Sequence, residues 1–444
     1  GGILGDRVLH AAEAAQHGIP WIELVAVNLY PFEATVTGAD VDVPTAAERI
    51  DIGGPTMLRA AAKNHAHVTV VVDPADYDTV VQAARSKSLH ELRRRLAVKA
   101  FRHTARYDSV ISDWLAERTE GLDPFGQEVG VGLRKVQGLR YGENPHQAAA
   151  FYADWQQTGR SLGRAVQHQG KALSFNNLAD LDGALRTVFE YDLPACAIIK
   201  HMNPAGAATA VDLSEAFTRA LAGDPVSAFG GIVVFNRPVT GAVIRTLKLS
   251  KTFFEVVAAP GFDALALERL APRKNLRVLE LPADWAQGLP PGRDARRVQG
   301  GWLVQDWDIG AEIGWKVVTK RAPSPVEARA LSFAWRSCRG VKSNAIVLAM
   351  ALEGGTRLNG VGAGQMSRVD SSRLAVSKAT ASTSGNVMAS DAFFPFADGL
   401  VVGIEAGVTA VIQPGGSIRD EEVIAAADRA GIAMVFTGHR HFRH

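Results

Sequence analysis

A short uninterrupted apolar run, Ala195 to Ile199, limits the fold more than any other stretch of this chain. It predicts a buried strand, and it ends in Lys200 and His201, followed by the turn-forming types Asn203, Pro204 and Gly206. In α/β proteins, groups at the carboxyl ends of strands commonly face the ligand crevice. A cation and an imidazole delivered there set a general base beside a proton donor or charge stabiliser. Taken alone, such a pair is more often two surface polar residues, so the weight falls on what accompanies it.

The 444 residues, 47% hydrophobic and 21% charged, suffice for two or three cores. A formal charge of +2 provides no bulk drive toward nucleic acid or a membrane surface. No apolar stretch approaches the roughly 20 residues that span a bilayer, and no signal-peptide pattern opens the chain. Cys196 and Cys338 lie far apart without CxxC spacing, which indicates neither a disulfide framework nor a zinc site. Their apolar settings predict core packing, and the usage fits a reducing, cytoplasmic compartment.

Strands are expected at Leu24 to Asn28 and Val68 to Val72, with a helix from Met57 to Lys63 between them. A parallel sheet with helical crossovers follows. Two strands are few for such a sheet, so residues 1–132 are expected to be the later part of a domain. Helices at His90 to Phe101 and His103 to Arg118 precede a polar connection, Thr119 to Gly130, read as the domain boundary. Beyond it, Leu178, Leu181, Leu185, Val188 and Phe189 line one face of an amphipathic helix. A helix from Leu213 to Leu221 and a strand from Ile232 to Phe235 follow, then a strand-rich stretch, 261–315, without evident chemistry. Helices from Pro325 to Arg336 and Asp420 to Ala430 alternate with strands at Ala345 to Leu348, Thr409 to Gln413 and Ile432 to Phe436. Helix, strand and Gly-rich loop thus recur in 133–320 and 321–444, as a divergent duplication would leave them.

Gly- or Asn-containing loops end near Arg140, Arg368, Arg419 and Arg440. Arginine forks beside such loops suit phosphate and carboxylate groups. Gly362-Ala363-Gly364 lacks the third glycine and the acid of a dinucleotide fingerprint. The run Phe393 to Phe396 could be core, or a flat apolar wall for an aromatic ligand flanked by Asp391 and Asp398. By composition alone Lys63 is a solvated helix lysine, Tyr30 a strand-end packer and Asp398 a helix cap.

Several motifs occur in a recognisable order. They are Arg140 to His146, Lys200 to Gly206, Ser227 to Gly231, Gly362 to Arg368, Ser390 to Phe396 and the closing His439 to His444. With the upstream Asn28 to Phe32, Ile50 to Gly54 and Ala61 to His65, they resemble the bifunctional purine-biosynthesis family that combines AICAR transformylase with IMP cyclohydrolase. The resemblance covers essentially the whole chain. It implies an α/β fold: an incomplete Rossmann-like (methylglyoxal-synthase-like) α/β/α domain over 1–132, then a duplicated, cytidine-deaminase-like α/β/α transformylase region over 133–444.

By that resemblance the formyl group of 10-formyltetrahydrofolate passes to the 5-amino group of AICAR, and dehydrative closure gives IMP. His201 would be the base, Lys200 would stabilise charge and protonate the departing folate nitrogen, and Asn344 would position the formyl oxygen or His201. Arg140, Tyr141, Asn177, Gly230, Glu255, Arg368 and Arg440 would hold AICAR; some relatives carry Asp in place of Glu255. Val369, Phe393, Asp398, Ser417 and Ile418 would line the folate site. Asn28, Asp51, Ile52 and Gly53 would contact IMP, with Lys63, Asp51 and Tyr30 in the ring closure. A homodimer with sites at its interface is implied, a bound monovalent cation is compatible, and zinc is not expected.

Relatives carry Ser-rich and Gly-rich phosphate loops, and a Lys-Thr-Leu-His element, ahead of the position of Gly1. The chain is therefore expected to be a fragment with weak or absent ring closure and intact formyl transfer. Two other readings compete. A deaminase-like hydrolase would normally need a His-x-Glu and Cys-x-x-Cys zinc set, which two isolated cysteines cannot supply. A non-catalytic nucleotide-binding module would keep the arginines but have no use for Lys200 beside His201.

Overall fold

The computed structural model describes residues 1–37, 41–155, 160–287, 291–309 and 314–444, and the chain is mixed α/β. It divides into two compact units, Gly1–Val136 with Tyr152–Thr158, and Gln137–Phe151 with Gly159–His444.

In the first unit, strands Leu24–Ala26 and Thr69–Val71 pair in parallel. The intervening helix, Gly53–Lys63, begins four residues before Met57, because the Asp51 carboxylate accepts the Gly54 N–H at 2.7 Å and satisfies its first turn. Helices expected at 90–101 and 103–118 are one continuous helix, Leu89–Ala116. Arg102 and His103 contain no helix breaker, and the buried stripe Leu96, Ala97, Ala100, Thr104, Val110, Trp114 runs straight through them. Val25, Leu58, Val70, Leu96 and Ala100 share one core, and Phe32 meets Trp114 edge to face.

The second unit is built on a twelve-stranded sheet. From one edge its strands are Lys316–Val317, Ala433–Phe436, Ala410–Gln413, Val387–Ser390, Ile346–Leu352, Gly355–Gly362, Asn203–Thr209, Ala195–Lys200, Gly231–Phe235, Phe254–Ala259, Arg277–Glu280 and Val166–Gln169. Element order is the same in both halves. A helix (Phe175–Val188 or Pro325–Arg339) leads into an antiparallel hairpin, a second helix follows (Leu213–Leu221 or Arg368–Ser377), and parallel strands then alternate with helices.

The run 195–199 is uninterrupted because both sheet faces are covered. Ala195, Ala197 and Ile199 join a core shared by the two halves, while Cys196 and Ile198 point into a second core on the other face. Cys338 belongs to the shared core, so both cysteines are core packers.

Two expectations change here. The turn after Lys200 is only His201-Met202; Asn203 and Pro204 open the next strand, at a register shift that accommodates the proline's missing N–H. Gly206 lies inside that strand because a Cβ there would stand 1.8 Å from the Ala220 carbonyl oxygen. The stretch 261–315 contains a helix, Ala264–Leu270, besides strands such as Arg293–Val298 and Gly301–Asp306; 288–290 and 310–313 lie outside the described residues.

The halves meet where Asn203–Thr209 runs antiparallel to Gly355–Gly362. These two strands pair only at Thr356 with Thr209 and Arg357 with Ala208. Toward Asn203 they part.

Candidate active site

That parting of the sheet opens a cavity of about 400 Å³. Its walls come from the unpaired ends of the two strands, Asn203 to Ala205 on one side and Leu358, Gly360 and Val361 on the other. Lys200 and His201 stand at its rim, with the Asp224–Lys378 ion pair (3.3 Å) and Ser227 on the wall. Burial opposes ionisation of Asp224, yet hydrogen bonds from Ser227 and Lys378 bring its carboxyl below the ordinary range.

The hairpin tip presents the pair. Lys200 closes its strand and donates to the Phe229 carbonyl at 2.7 Å, which ties the ammonium to the loop preceding Gly230. Gly230 itself adopts φ +76 and donates to the Phe253 carbonyl. His201 and Met202 are both left-handed, φ 53 and 61, the backbone of a two-residue hairpin turn. That conformation costs a residue with a Cβ about 1–2 kcal/mol, so neighbours must hold it. Asp180 accepts the Met202 N–H at 2.6 Å. Burial raises the Asp180 carboxyl above the ordinary range, against the N–H groups of Met202 and His201. The His201 ring is exposed and makes no side-chain hydrogen bond to any described residue, so a ring nitrogen remains for a substrate proton.

A second cluster surrounds the start of the helix Phe175–Val188. Asn177 closes a capping box with Ser174 and donates to Glu255 at 3.0 Å. Glu255 also pairs with Arg277 at 3.3 Å. Burial lowers the Arg277 guanidinium, and Glu255, Arg140 and Tyr141 all act on it through space, which sets these residues around one spot. Arg140 lies over the Tyr141 ring at 4.7 Å and bonds its hydroxyl, while Asn176 anchors their loop through the Glu143 carbonyl. Asn177, which bonds Glu255, and Asp180, which bonds Met202, lie about one turn apart on the helix Phe175–Val188, so this cluster borders the hairpin tip.

Asn344 and Arg368 form a third group. Arg368 is buried, donates to Ser390 at 2.8 Å and pairs with Asp391, and its other nitrogen donates to Asn344 Oδ1 at 2.8 Å. Asn344 Nδ2 is engaged by the Gln365 and Met366 carbonyls. Arg368 thus directs three of its five N–H groups to protein acceptors. Arg440 is exposed and lies over Phe442 at 4.7 Å. His441 is buried against Trp335 and bonds Asp308 at 2.6 Å.

Of the expected folate residues, Phe393 and Ile418 are exposed, Val369 is half-buried on the helix after Arg368, and Ser417 Oγ accepts the Arg419 N–H. Arg419 in turn lies over Phe396 at 4.7 Å. Phe394, by contrast, is core, so the aromatic run is part wall and part interior. Asp398 is the first residue of its helix, following the cap Ala397.

In the first unit, Asp51 accepts the Tyr30 N–H at 3.3 Å, and Asn28 donates to the Tyr77 hydroxyl at 3.3 Å. Tyr30 and Ile52 are exposed beside them, next to Gly53 at the helix start. Lys63 is exposed at the other end of the same helix, whose 11 residues span roughly 15 Å. Asp180 and Arg277 had no signal in the sequence, since an acid or a basic residue on an amphipathic element is ordinarily solvated.

No helix among the described residues is long and apolar enough to cross a membrane. The chain is similar to a solved structure described as "Crystal structure of ForH", at 37% identity over 26% of this chain and 61% of that one, with a TM-score of 0.23. The chain thus spans about three fifths of that structure's length, and a score this low carries no argument about the fold. The AICARFT/IMPCHase bienzyme family matches residues 61–378. With both units represented in a match well beyond half of the sequence, the chain belongs to the AICARFT/IMPCHase bienzyme family.

Proposed function

We propose that the second unit transfers the formyl group of 10-formyltetrahydrofolate to the 5-amino group of AICAR. The observation that carries this reading is the adjacency of Lys200 and His201 at the rim of the cavity in the split sheet. The AICAR amine is a weak nucleophile, because its lone pair is delocalised into the imidazole carboxamide. His201 removes its proton as the carbon–nitrogen bond forms, and Lys200 stabilises the oxyanion and protonates the leaving folate nitrogen. Arg140, Tyr141, Asn177, Gly230, Glu255, Arg368 and Arg440 hold the ribonucleotide, and Arg368 also shapes the Asn344 loop. Val369, Phe393, Asp398, Ser417 and Ile418 receive the folate.

The recurrence of element order supports the duplicated, deaminase-like architecture, with subdomains over 133–320 and 321–444. Pairing into a homodimer, and a bound monovalent cation, belong to the same reading. Ring closure to IMP is assigned to the first unit through Asn28, Tyr30, Asp51, Ile52, Gly53 and Lys63.

The test is a formyl-transfer assay beside a cyclisation assay on the purified chain and on His201→Ala. The expected result is a turnover loss of about 10²–10⁴-fold, with AICAR binding retained in calorimetry. Unchanged turnover in the variant would make the unit a binding module, and an inactive parent chain would remove the formyl-transfer reading altogether.

A further inference from the structure

The turn that carries His201 is gripped from two sides by groups that do not line the cavity. Neither His201 nor Met202 is a glycine or asparagine, the residues that take left-handed backbone readily. On one side, the Asp180 carboxylate accepts the Met202 N–H at 2.6 Å. On the other, Arg443 donates to the Met202 carbonyl at 3.3 Å and to the Gly340 carbonyl at 2.6 Å. Its own carbonyl accepts the Ser343 N–H at 2.8 Å, one residue from Asn344. A third tie, Lys342 N–H to Asn203 Oδ1 at 2.9 Å, joins the same two segments.

We infer that Asp180 and Arg443 are positioning residues: an anion and a cation on opposite ends of the Met202 residue, which hold the left-handed turn and so aim Lys200 and His201 at the cavity. The role assigned to the clamp rests on the formyl-transfer reading above. Each partner matches the local backbone dipole, carboxylate to N–H and guanidinium to carbonyl, and charge-assisted bonds of this kind are the strong ones. The strand below the tip is fully buried, Ala195 to Ile199. Removing the clamp therefore leaves the hairpin in place and frees only its last two residues. Because Arg443 also reaches Gly340 and Ser343, the clamp sets the tip against the Asn344 loop of the other half.

The test uses the full chain with Asp180→Ala, Asp180→Asn and Arg443→Met. Small misplacements of a reacting group cost about 10²-fold. Accordingly, kcat is expected to fall by about that factor in Asp180→Ala and Arg443→Met, while the Kd for AICAR stays within about threefold. Asp180→Asn keeps one acceptor oxygen and should recover at least about tenfold of the loss. An activity-independent readout is available because the chain has only six methionines. In isotope-labelled methionine spectra, the Met202 amide line, assigned through Met202→Leu, should move in Asp180→Ala and stay near its place in Asp180→Asn. An unmoved Met202 line, or unchanged kcat in both disrupting variants, overturns the clamp. If the parent chain transfers no formyl group, the functional reading falls, and the Met202 line still decides whether the clamp exists.

Discussion

The two hairpins of the large sheet occupy equivalent places and differ at their tips. At 200–203 the turn is His201-Met202, left-handed without glycine and gripped by Asp180 and Arg443. At 352–355 it is Glu353-Gly354, where only Gly354 has positive φ (66) and both residues are exposed. The helices ahead of the hairpins differ in the same way. Each begins with a capping box, Ser174 with Asn177 and Ser324 with Glu327. Asn177 turns its spare N–H toward Glu255 in the candidate site, whereas Glu327 pairs with Arg321 at 2.6 Å. One scaffold has thus been used twice. Backbone strain and unspent polar groups are concentrated in the copy that faces the cavity, as is usual for functional sites.

The comparison can be broken most sharply at the tip. Lys200→Met should lower kcat for formyl transfer by about 10²-fold, the cost of losing one charge stabiliser, with little change in melting temperature. Next is Arg368→Met. It strands the Asp391 carboxylate in the interior and should cost about 3–5 kcal/mol of stability in denaturant unfolding. The Ser343 hydroxyl also donates to Asp391 at 2.5 Å, and a smaller effect would mean that this bond alone satisfies the carboxylate.

A paired test then sets one hairpin against the other. Gly206→Ala places a methyl 1.8 Å from the Ala220 carbonyl oxygen and should cost about 1–3 kcal/mol. Gly354→Ala strains an exposed turn and brings its methyl 2.7 Å from a Val211 methyl on an exposed side chain that can turn away, for about 1 kcal/mol, and should leave formyl transfer unchanged. Equal costs would contradict the reading of Gly206 as a packing requirement and of Gly354 as a requirement of the turn alone.

The mildest prediction concerns pH. The Arg321 hydrogen bond draws the Glu327 carboxyl from 4.5 to about 2, with burial acting against it. Its stabilising effect is therefore complete above pH 4.5 and is lost as pH falls through about 2. Glu327→Gln, which keeps the cap, should flatten the melting-temperature profile across that window and change little at neutral pH.

Much of the second unit could be read from periodicity. The helix Leu213–Leu221 lies where the apolar spacing placed it, and Pro325 and Asp420 mark helix starts as expected. The single helix Leu89–Ala116 was harder, because charged residues at 102–103 interrupt the pattern without interrupting the backbone. Asp180 and Arg443 could not be read at all, since their importance lies in contacts with Met202 at sequence separations of 22 and 241.

By itself, then, the sequence determined the local matters: a buried strand at 195–199, a Lys-His pair at its end, cysteines inside, and the family. Tertiary structure alone decided that two strands from different halves pair at one end and separate at the other. It also decided which charged groups the resulting cavity leaves unspent and which it uses to hold a turn. The reason is physical. Burial pattern and turn chemistry act over a few residues, whereas pairing register and buried ion pairs are settled by segments that meet only when the chain is folded.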